Sequence, residues 1–579
     1  VKKWLRVDMS ALEVRQEQPA EKYAGKGGRW LTSQFINEEV DPGCHPLGEN
    51  NKLIFAPGFV TGTSAPSSGR ISAGGKSPLT GGIKESNAGT PFAQSLARLG
   101  YQALILEGLP ADKEQRYVLR VNSEGGELIS APELKGLGMY DTITRLREQY
   151  GDVDICGTGP AGEMKMAMAG ICYNDPEYRA SRYSGRGGLG ATMGSKGVKA
   201  IVIERDGPGV EMADSDLFKI GQRKLAEALR NHDVTKPGGA LNSFGTAVLI
   251  NILNQAGGLP FRNFRSGVFD EAEAIAGETI ADEVKKRGGE GMMGHSCSPG
   301  CVIRCSNVWP RKDGTEHVSC IEYESDWSLG ANLDIDDLDA IAEMIYICND
   351  LGLDTIEAGV TLGVAMEGGL AEFGDSEKAI DLLREVGRGT PLGRIIGNGA
   401  GLTGKALGVT RVPVVKNQGM PAYEPRSVKG IGVTYITSTM GADHTAGYTI
   451  APEILSVGGE SDPLDPQGKV ELSRDFQATT AFVDSSGYCL FITFALLDSE
   501  SGFEGMLETV NGVLGTSYTG DDVLDIGKKI LKMERKFNEA AGLTRADDRI
   551  PEFMRREKLP PHDRVFEITD DELDQLWDF

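Results

Sequence analysis

Two tracts in the first two hundred residues, TGTSAPSSGRISAGGKSPLTGG (residues 61–82) and SRYSGRGGLGATMGSKG (181–197), constrain the fold more than any other feature. At that density of Gly, Ser and Pro neither is expected to form a regular element, because glycine loses the most conformational entropy on ordering. Around them lie short apolar runs, NKLIFAPGFV, YQALILEG and VKAIVIER, bounded by Gly, Pro or Asn as buried strands are. The chain has 77 glycines in 579 residues and no collagen-like period, so the excess belongs in turns and in loops that bring backbone close to a ligand. After about residue 206 the pattern changes. DLFKIGQRKLAEALRNH, DLDAIAEMIYICNDLG and SEKAIDLLREVGRG space apolar side chains by three and four, with acidic residues at their starts. VLDIGKKILKMERKFNEAAG continues the helical pattern near the C-terminus. The expected fold class is α+β: a β-rich domain over 1–205, a mainly helical domain over 206–415 and a second mainly helical domain over 416–579. The proline-interrupted tail from Ile550 is expected to lie across the surface, and no internal repeat of about 20 to 50 residues is visible.

A formal charge of −24 argues against nucleic acid, whose phosphates need a cationic surface, and against an anionic membrane. A basic redox partner or an obligate subunit is compatible with it, although acidity that merely keeps a large chain dissolved is the plainer account. The opening VKKWLRVDMSALEV lacks the apolar core of a secretory signal, and no run of about eighteen apolar residues occurs. Nine cysteines do not make a disulfide framework in a chain this long. A reducing, cytoplasmic setting is therefore expected, in which clustered thiols more often bind metal.

One such cluster stands out. GHSCSPGCVIRCSNVW places Cys297, Cys301 and Cys305 within nine positions, separated by Ser-Pro-Gly and Val-Ile-Arg. Pro-Gly makes a turn, and a turn lets successive thiolates converge on one point. A zinc ribbon would usually need a second close pair, and none is present. The later thiols are Cys320, Cys348 and Cys489, and one distant fourth ligand suits a four-iron cluster. Cluster, zinc and simple packing all stay open on these residues alone. Cys156, Cys172 and Cys348 sit among apolar neighbours and read as packing residues, while Cys44 and Cys320 are undecided.

Longer phrases narrow the choice. LRVDMS, the run DPGCHPLGENNKLIFAPGFVTGTSAPSSGR, GRGGLGATMGSKGVKAI, IEYESDWSLGANLDIDDLDAIAEM, NDLGLD, PAYEPRSVKGIG, TSTMGADHTAGYT and DSSGYC follow one another along most of the chain. In that order they resemble the aldehyde:ferredoxin oxidoreductase family, the tungsten- or molybdenum-dependent bis-pterin enzymes. The resemblance implies a bis-pterin tungsten (or molybdenum) cofactor, a [4Fe-4S] cluster and a Mg2+ ion bridging the pterin phosphates. It assigns Cys489 as the cluster's fourth ligand beside Cys297, Cys301 and Cys305. The phrase Asp484-x-x-Gly487-Tyr488-Cys489 would then hold a pterin through the Asp carboxylate and the cluster through the thiol. The matching first motif runs Asn349, Asp350, Leu351, Gly352, Leu353, Asp354, with Asn where the family has Asp. Pairing there is expected to be weaker, or taken over by Asp350. The two leading cluster cysteines are also one residue further apart than is usual in the family.

For the phosphates, Arg70 offers a bidentate donor, and the backbone of Asn87, Ala88 and Gly89 can approach closely. In the second loop the same applies to Arg182, Ser184, Gly185, Arg186, Gly187 and Gly188, and the resemblance implies magnesium at Asn87 and near Ser184. Without the resemblance these would be generic anion nests, since no acidic residue on a following strand completes a dinucleotide fingerprint. In these terms residues 1–205 cradle the pterins, 206–415 carry three cluster cysteines and the first motif, and 416–579 carry His444 and the second motif.

The resemblance also points to Glu324 and His444 as the groups flanking the metal. Glu324 lies beside Glu322, and like charges held close raise one pKa, which suits a group that takes and returns a proton. Glu343 is a weaker outlying candidate. The implied reaction oxidises a small aldehyde to its carboxylic acid and passes electrons singly to ferredoxin or to an iron–sulfur partner subunit, in an oligomer or multisubunit complex. Two alternatives remain at this level: a low-potential reductase of carboxylates or aryl thioesters with the same cofactor, and an electron-transfer subunit without chemistry of its own.

Overall fold

A computed structural model describes residues 2–579. Up to residue 204 the chain builds two six-stranded sheets. The first has the order β2-β1-β6-β3-β4-β5, from β1 Lys3–Asp8, β2 Glu13–Glu17, β3 Leu53–Pro57, β4 Arg70–Lys76, β5 Ile83–Gly89 and β6 Tyr101–Glu107. The second has the order β8-β7-β12-β9-β10-β11, from β7 Tyr117–Asn122, β8 Gly125–Ser130, β9 Val153–Gly157, β10 Ile171–Asn174, β11 Ala180–Ser184 and β12 Val198–Glu204. In each sheet one inner pair is parallel, β1 with β6 and β7 with β12, and the other pairs are antiparallel. One strand recipe is thus used twice, within residues 3–107 and again within 117–204. That repeat is one of topology, far longer than the roughly 20-to-50-residue periods of repeat proteins.

Strand alternation explains the layering. In β6, Leu104 and Leu106 enter a core shared with Ile171, Tyr173, Ile201 and Ile203 of the second sheet, whereas Ala103 and Ile105 face the other way. That outer face of the first sheet is covered by helix Gly28–Glu39 through Leu31, Phe35 and Ile36. Helix Met139–Tyr150 covers the second sheet through Met139, Ile143 and Leu146. The two glycine-rich tracts are more regular than expected. They include β4, β11 and helix Leu189–Ser195. The reason is close packing: a Cβ on Gly74 would stand 2.7 Å from Thr32, and one on Gly190 or Gly194 would stand 2.1 Å from a backbone oxygen. Burial at short range there outweighs the entropic cost of ordering glycine.

Beyond residue 206 the chain is mostly helical, giving 44% helix and 16% strand overall. The periodic runs form helices Ser215–Asn231, Leu338–Leu351, Ser376–Arg388 and Gly520–Ala540. The tail does more than cross the surface. Phe553, Met554, Leu559, Phe566, Ile568, Leu573 and Leu576 are all buried, so its apolar residues anchor it to the body. No helix among the described residues is long and apolar enough to cross a membrane.

Candidate active site

The glycine-lined strand ends and the helical region meet around a cavity of about 400 Å³. Two helices deliver the motif loops to it. Helix Leu338–Leu351 stops at Gly352 (φ +77°) and helix Lys469–Ser486 at Gly487 (φ +89°), the left-handed caps that glycine takes without strain. Both ends dock backbone to backbone on the sheets. The amides of Phe59 and Val60 donate to Ser485 O (3.1 Å) and Ser486 O (2.9 Å), and Gly170 N–H donates to Gly352 O (2.9 Å). A Cβ on Gly58 would lie 2.1 Å from Gly487 N, and one on Gly159 2.3 Å from Leu351 O, so neither junction admits a side chain.

Cys297, Cys301 and Cys305 lie on the loop between strands Met292–His295 and Ser306–Pro310, which pair antiparallel. Together with Cys489 they line one wall of the cavity. Ser67, which sequence reasoning missed, ties the two segments together. Its N–H donates to Gly300 O (3.0 Å), its hydroxyl accepts from Val302 N–H (3.1 Å), and its carbonyl accepts from Cys489 N–H (2.9 Å). The thiols feel one another. A hydrogen bond from Cys301, then the Arg182 and Arg70 guanidiniums, hold Cys297 toward thiolate. Burial pushes Cys305 and Cys489 up. Cys320 also reaches the cavity, with its thiol pushed up by burial, whereas Cys156, Cys172 and Cys348 are core residues.

The two motif loops differ in charge. The Asp484 carboxylate lies 3.3 Å from Arg29, whose other nitrogens bind both oxygens of the fully buried Glu534 at 2.9 Å. Burial pushes Asp484 and its neighbour Glu85 up, with Arg29 opposing. Asn349 instead donates its amide to Ser319 O (3.3 Å) and to the Tyr140 hydroxyl (3.4 Å), and it lines the cavity. Asp350 does not replace a carboxylate there. It turns toward helix Met139–Tyr150 and accepts from Tyr140 N–H at 3.3 Å. Leu353 and Asp354 line the cavity; Asp354 caps helix Thr355–Glu367 and pairs with Arg186 at 3.0 Å. Tyr488 points into the core, its hydroxyl on Thr509, while Gly187 and Gly188 form a left-handed turn beside Lys84.

Asn87, Ala88, Gly89 and Gly185 also line the cavity, where Arg70, Arg182 and Arg186 converge. Arg70 uses Nε on Asn87, and Arg182 uses Nη2 on Ser306 (2.8 Å) while its buried Nε has no partner. Arg186 uses each of its nitrogens once: Nε on Asp354, Nη1 on Ala442 O (2.7 Å), Nη2 on Gly419 O (2.7 Å). The Ser184 hydroxyl contacts Tyr173 at 3.1 Å.

Glu324 and His444 come together, with 3.5 Å between Oε1 and Nε2. Ala422 N–H fixes Glu324 Oε2 at 3.0 Å, while Glu324 Oε1 and His444 Nδ1 are buried and unpartnered. Burial pushes the carboxyl up to about 8 and the imidazole down to about 4. Glu322, expected from the sequence to raise Glu324, turns away to Thr246 and Ser306; desolvation, then Asp443 and Asp354, do so instead. Although buried, Asp443 is held low by Lys84 (3.4 Å) and Arg186. Glu343 lies elsewhere, on His317 and Arg384. Arg29 and Lys84 were not singled out from sequence, because each matters only through partners distant in the chain.

Paired sheets, an open thiol quartet and an acid–imidazole pair in one cavity describe an oxidoreductase. Two family models match the chain, "Aldehyde ferredoxin oxidoreductase, N-terminal domain" over residues 4–205 and "Aldehyde ferredoxin oxidoreductase, domains 2 & 3" over 221–578. The chain belongs to the aldehyde ferredoxin oxidoreductase family. It is 38% identical to a tungsten-containing aldehyde ferredoxin oxidoreductase of Pyrococcus horikoshii, covering 96% of this chain and 92% of that protein. The corresponding Pyrococcus furiosus protein is 36% identical over the same shares. An aliphatic sulfonate oxidoreductase, WOR-like subunit, of Pyrococcus furiosus is 25% identical, over 92% of this chain and 85% of that one. Among solved structures, the active site complex BamBC of benzoyl coenzyme A reductase shares the fold, with TM-score 0.79 at 17% identity over 99% of this chain and 93% of that one.

Proposed function

We propose that this chain oxidises aldehydes to carboxylic acids at a bis-pterin tungsten centre and releases electrons through a [4Fe-4S] cluster to ferredoxin or an iron–sulfur partner subunit. The observation that carries the reading is the meeting, in one cavity, of four thiols with a buried Glu324–His444 pair in which Glu324 Oε1 and His444 Nδ1 make no hydrogen bond. The residues fit the family's cofactors. Cys297, Cys301, Cys305 and Cys489 would hold the cluster, Asp484 and Asn349 one pterin each. Arg70 and Arg182 keep free donors for phosphates, and the carbonyls of Asn87 and Ser184 would serve magnesium. Arg186, with three of its five N–H donors on Asp354, Ala442 O and Gly419 O, would position Asp354. When bound, the tungsten centre supplies a two-electron acceptor and the cluster a one-electron exit.

The protein's part is proton handling and charge placement. Glu324, held at Oε2 by Ala422, presents Oε1 to take a proton from the water that attacks the aldehyde carbonyl. His444 stays neutral at pH 7 and donates its N–H to the developing oxyanion, a fixed donor in a water-poor site. Substituting Glu324→Gln removes the base. Turnover should fall by at least about a hundredfold with tungsten and iron contents unchanged; normal turnover sinks the assignment. Because the base form of Glu324 fills as pH rises through about 8, wild-type kcat should climb toward that pH. Between 4.5 and about 8 the folded chain holds a proton that the unfolded chain has released, so stability falls as pH rises across that window, and the Gln variant flattens the fall.

A further inference from the structure

We infer that the part of the cavity beside Glu324 and His444 is a compartment for uncharged aryl aldehydes, selected by the rings of Tyr448 and Phe491. The inference rests on the aldehyde-oxidising reading and names its substrate class. Tyr323, Tyr423, Tyr448 and Phe491 all face the cavity. The His444 ring lies 6.0 Å from Tyr423 and 6.4 Å from Tyr448, so the aromatic wall adjoins the imidazole that would meet the carbonyl. Phe494 supports the wall from behind, edge-on to Tyr448 at 6.1 Å and stacked on Phe491 at 5.6 Å and 14°.

The polar ends of these tyrosines are already satisfied. Tyr423 and Tyr448 share a 2.8 Å hydrogen bond, and Tyr323 donates to Ala422 O at 2.6 Å. What faces a substrate is therefore ring carbon, which holds another ring edge-to-face or offset. A phosphate or carboxylate on the substrate would find no such welcome. Arg186, the cation whose charge both Glu324 and His444 feel, already spends each nitrogen on Asp354, Ala442 O and Gly419 O, and Asp443 lies 3.8 Å from His444. An anionic group there is buried without a partner. A short alkyl aldehyde is tolerated but leaves the wall uncontacted.

The test uses anaerobically purified holoenzyme, matched for tungsten and iron, with a viologen acceptor. Benzaldehyde should exceed acetaldehyde in kcat/KM by about tenfold to a hundredfold, and glyceraldehyde 3-phosphate should be the poorest of the three. Tyr448→Leu should bring the benzaldehyde–acetaldehyde ratio to within about threefold, while Tyr448→Phe, which keeps the ring, preserves it. Equal or better turnover of acetaldehyde or the phosphorylated aldehyde overturns the inference. Calorimetric binding of benzyl alcohol against ethanol separates the two readings. If no aldehyde is turned over, the proposed reaction falls, yet benzyl alcohol bound at least about tenfold tighter upholds the compartment. Benzyl alcohol bound no tighter than ethanol removes it.

Discussion

Asn349–Asp354 and Asp484–Cys489 are loops of the same build set in opposite electrostatic surroundings. Each leaves a helix at a left-handed glycine, each docks on a strand end of one sheet, and each ends at the cavity. The Asp484 side is ionic, with Arg29, Glu85 and Glu534 around it; the Asn349 side is neutral, with Tyr140, Tyr183 and the Ser319 carbonyl. The contrast extends to the last position, a thiol at Cys489 and a carboxylate at Asp354 paired to Arg186. Similar backbone with unequal charge teaches that the doubled strand recipe supplies geometry, while the side chains set around each loop decide what each half can hold.

The sharpest way to break that contrast is at the last position. Cys489→Ser should strip most of the iron from the purified protein, whereas Asp354→Asn should leave iron intact; equal iron in the two variants would erase the distinction. Next comes the ionic side. Arg29→Ala leaves the buried Glu534 and its neighbours without their cation and should cost about 3–5 kcal/mol, read as a large drop in melting temperature with loss of pterin. A drop no larger than that of Tyr140→Phe would show the charges to be unimportant. The smallest effect is expected at Asn349→Asp. The new carboxylate would face the Ser319 carbonyl in place of an amide donor, costing about 1–3 kcal/mol and lowering pterin content. Improved pterin retention in that variant would mean that the neutral side is merely a weakened copy of the ionic one.

Much of this was legible in the sequence, and the failures have common physical causes. NKLIFAPGFV, YQALILEG and VKAIVIER read as strands because β3, β6 and β12 are buried on both faces. The glycine tracts misled, since nothing local announces that Gly74 faces Thr32 or that Gly190 faces Gly170. At the site, the motif phrases named the thiols and the Glu324–His444 pair, which the fold brings to one cavity. Asp350 failed as a substitute because successive residues at a helix end point apart, so it cannot share the direction of Asn349. Arg29 and Lys84 gave no signal, for their carboxylate partners lie 455 and 359 positions away.

The doubled strand recipe has a consequence for tenacity. A two-armed guest clasped by both sheets can slacken at one arm and stay put, because the other arm keeps the loosened end at high local concentration and recapture outruns escape. On the proposed reading, an amide at position 349 is then affordable only while the clasp around Asp484 is sound.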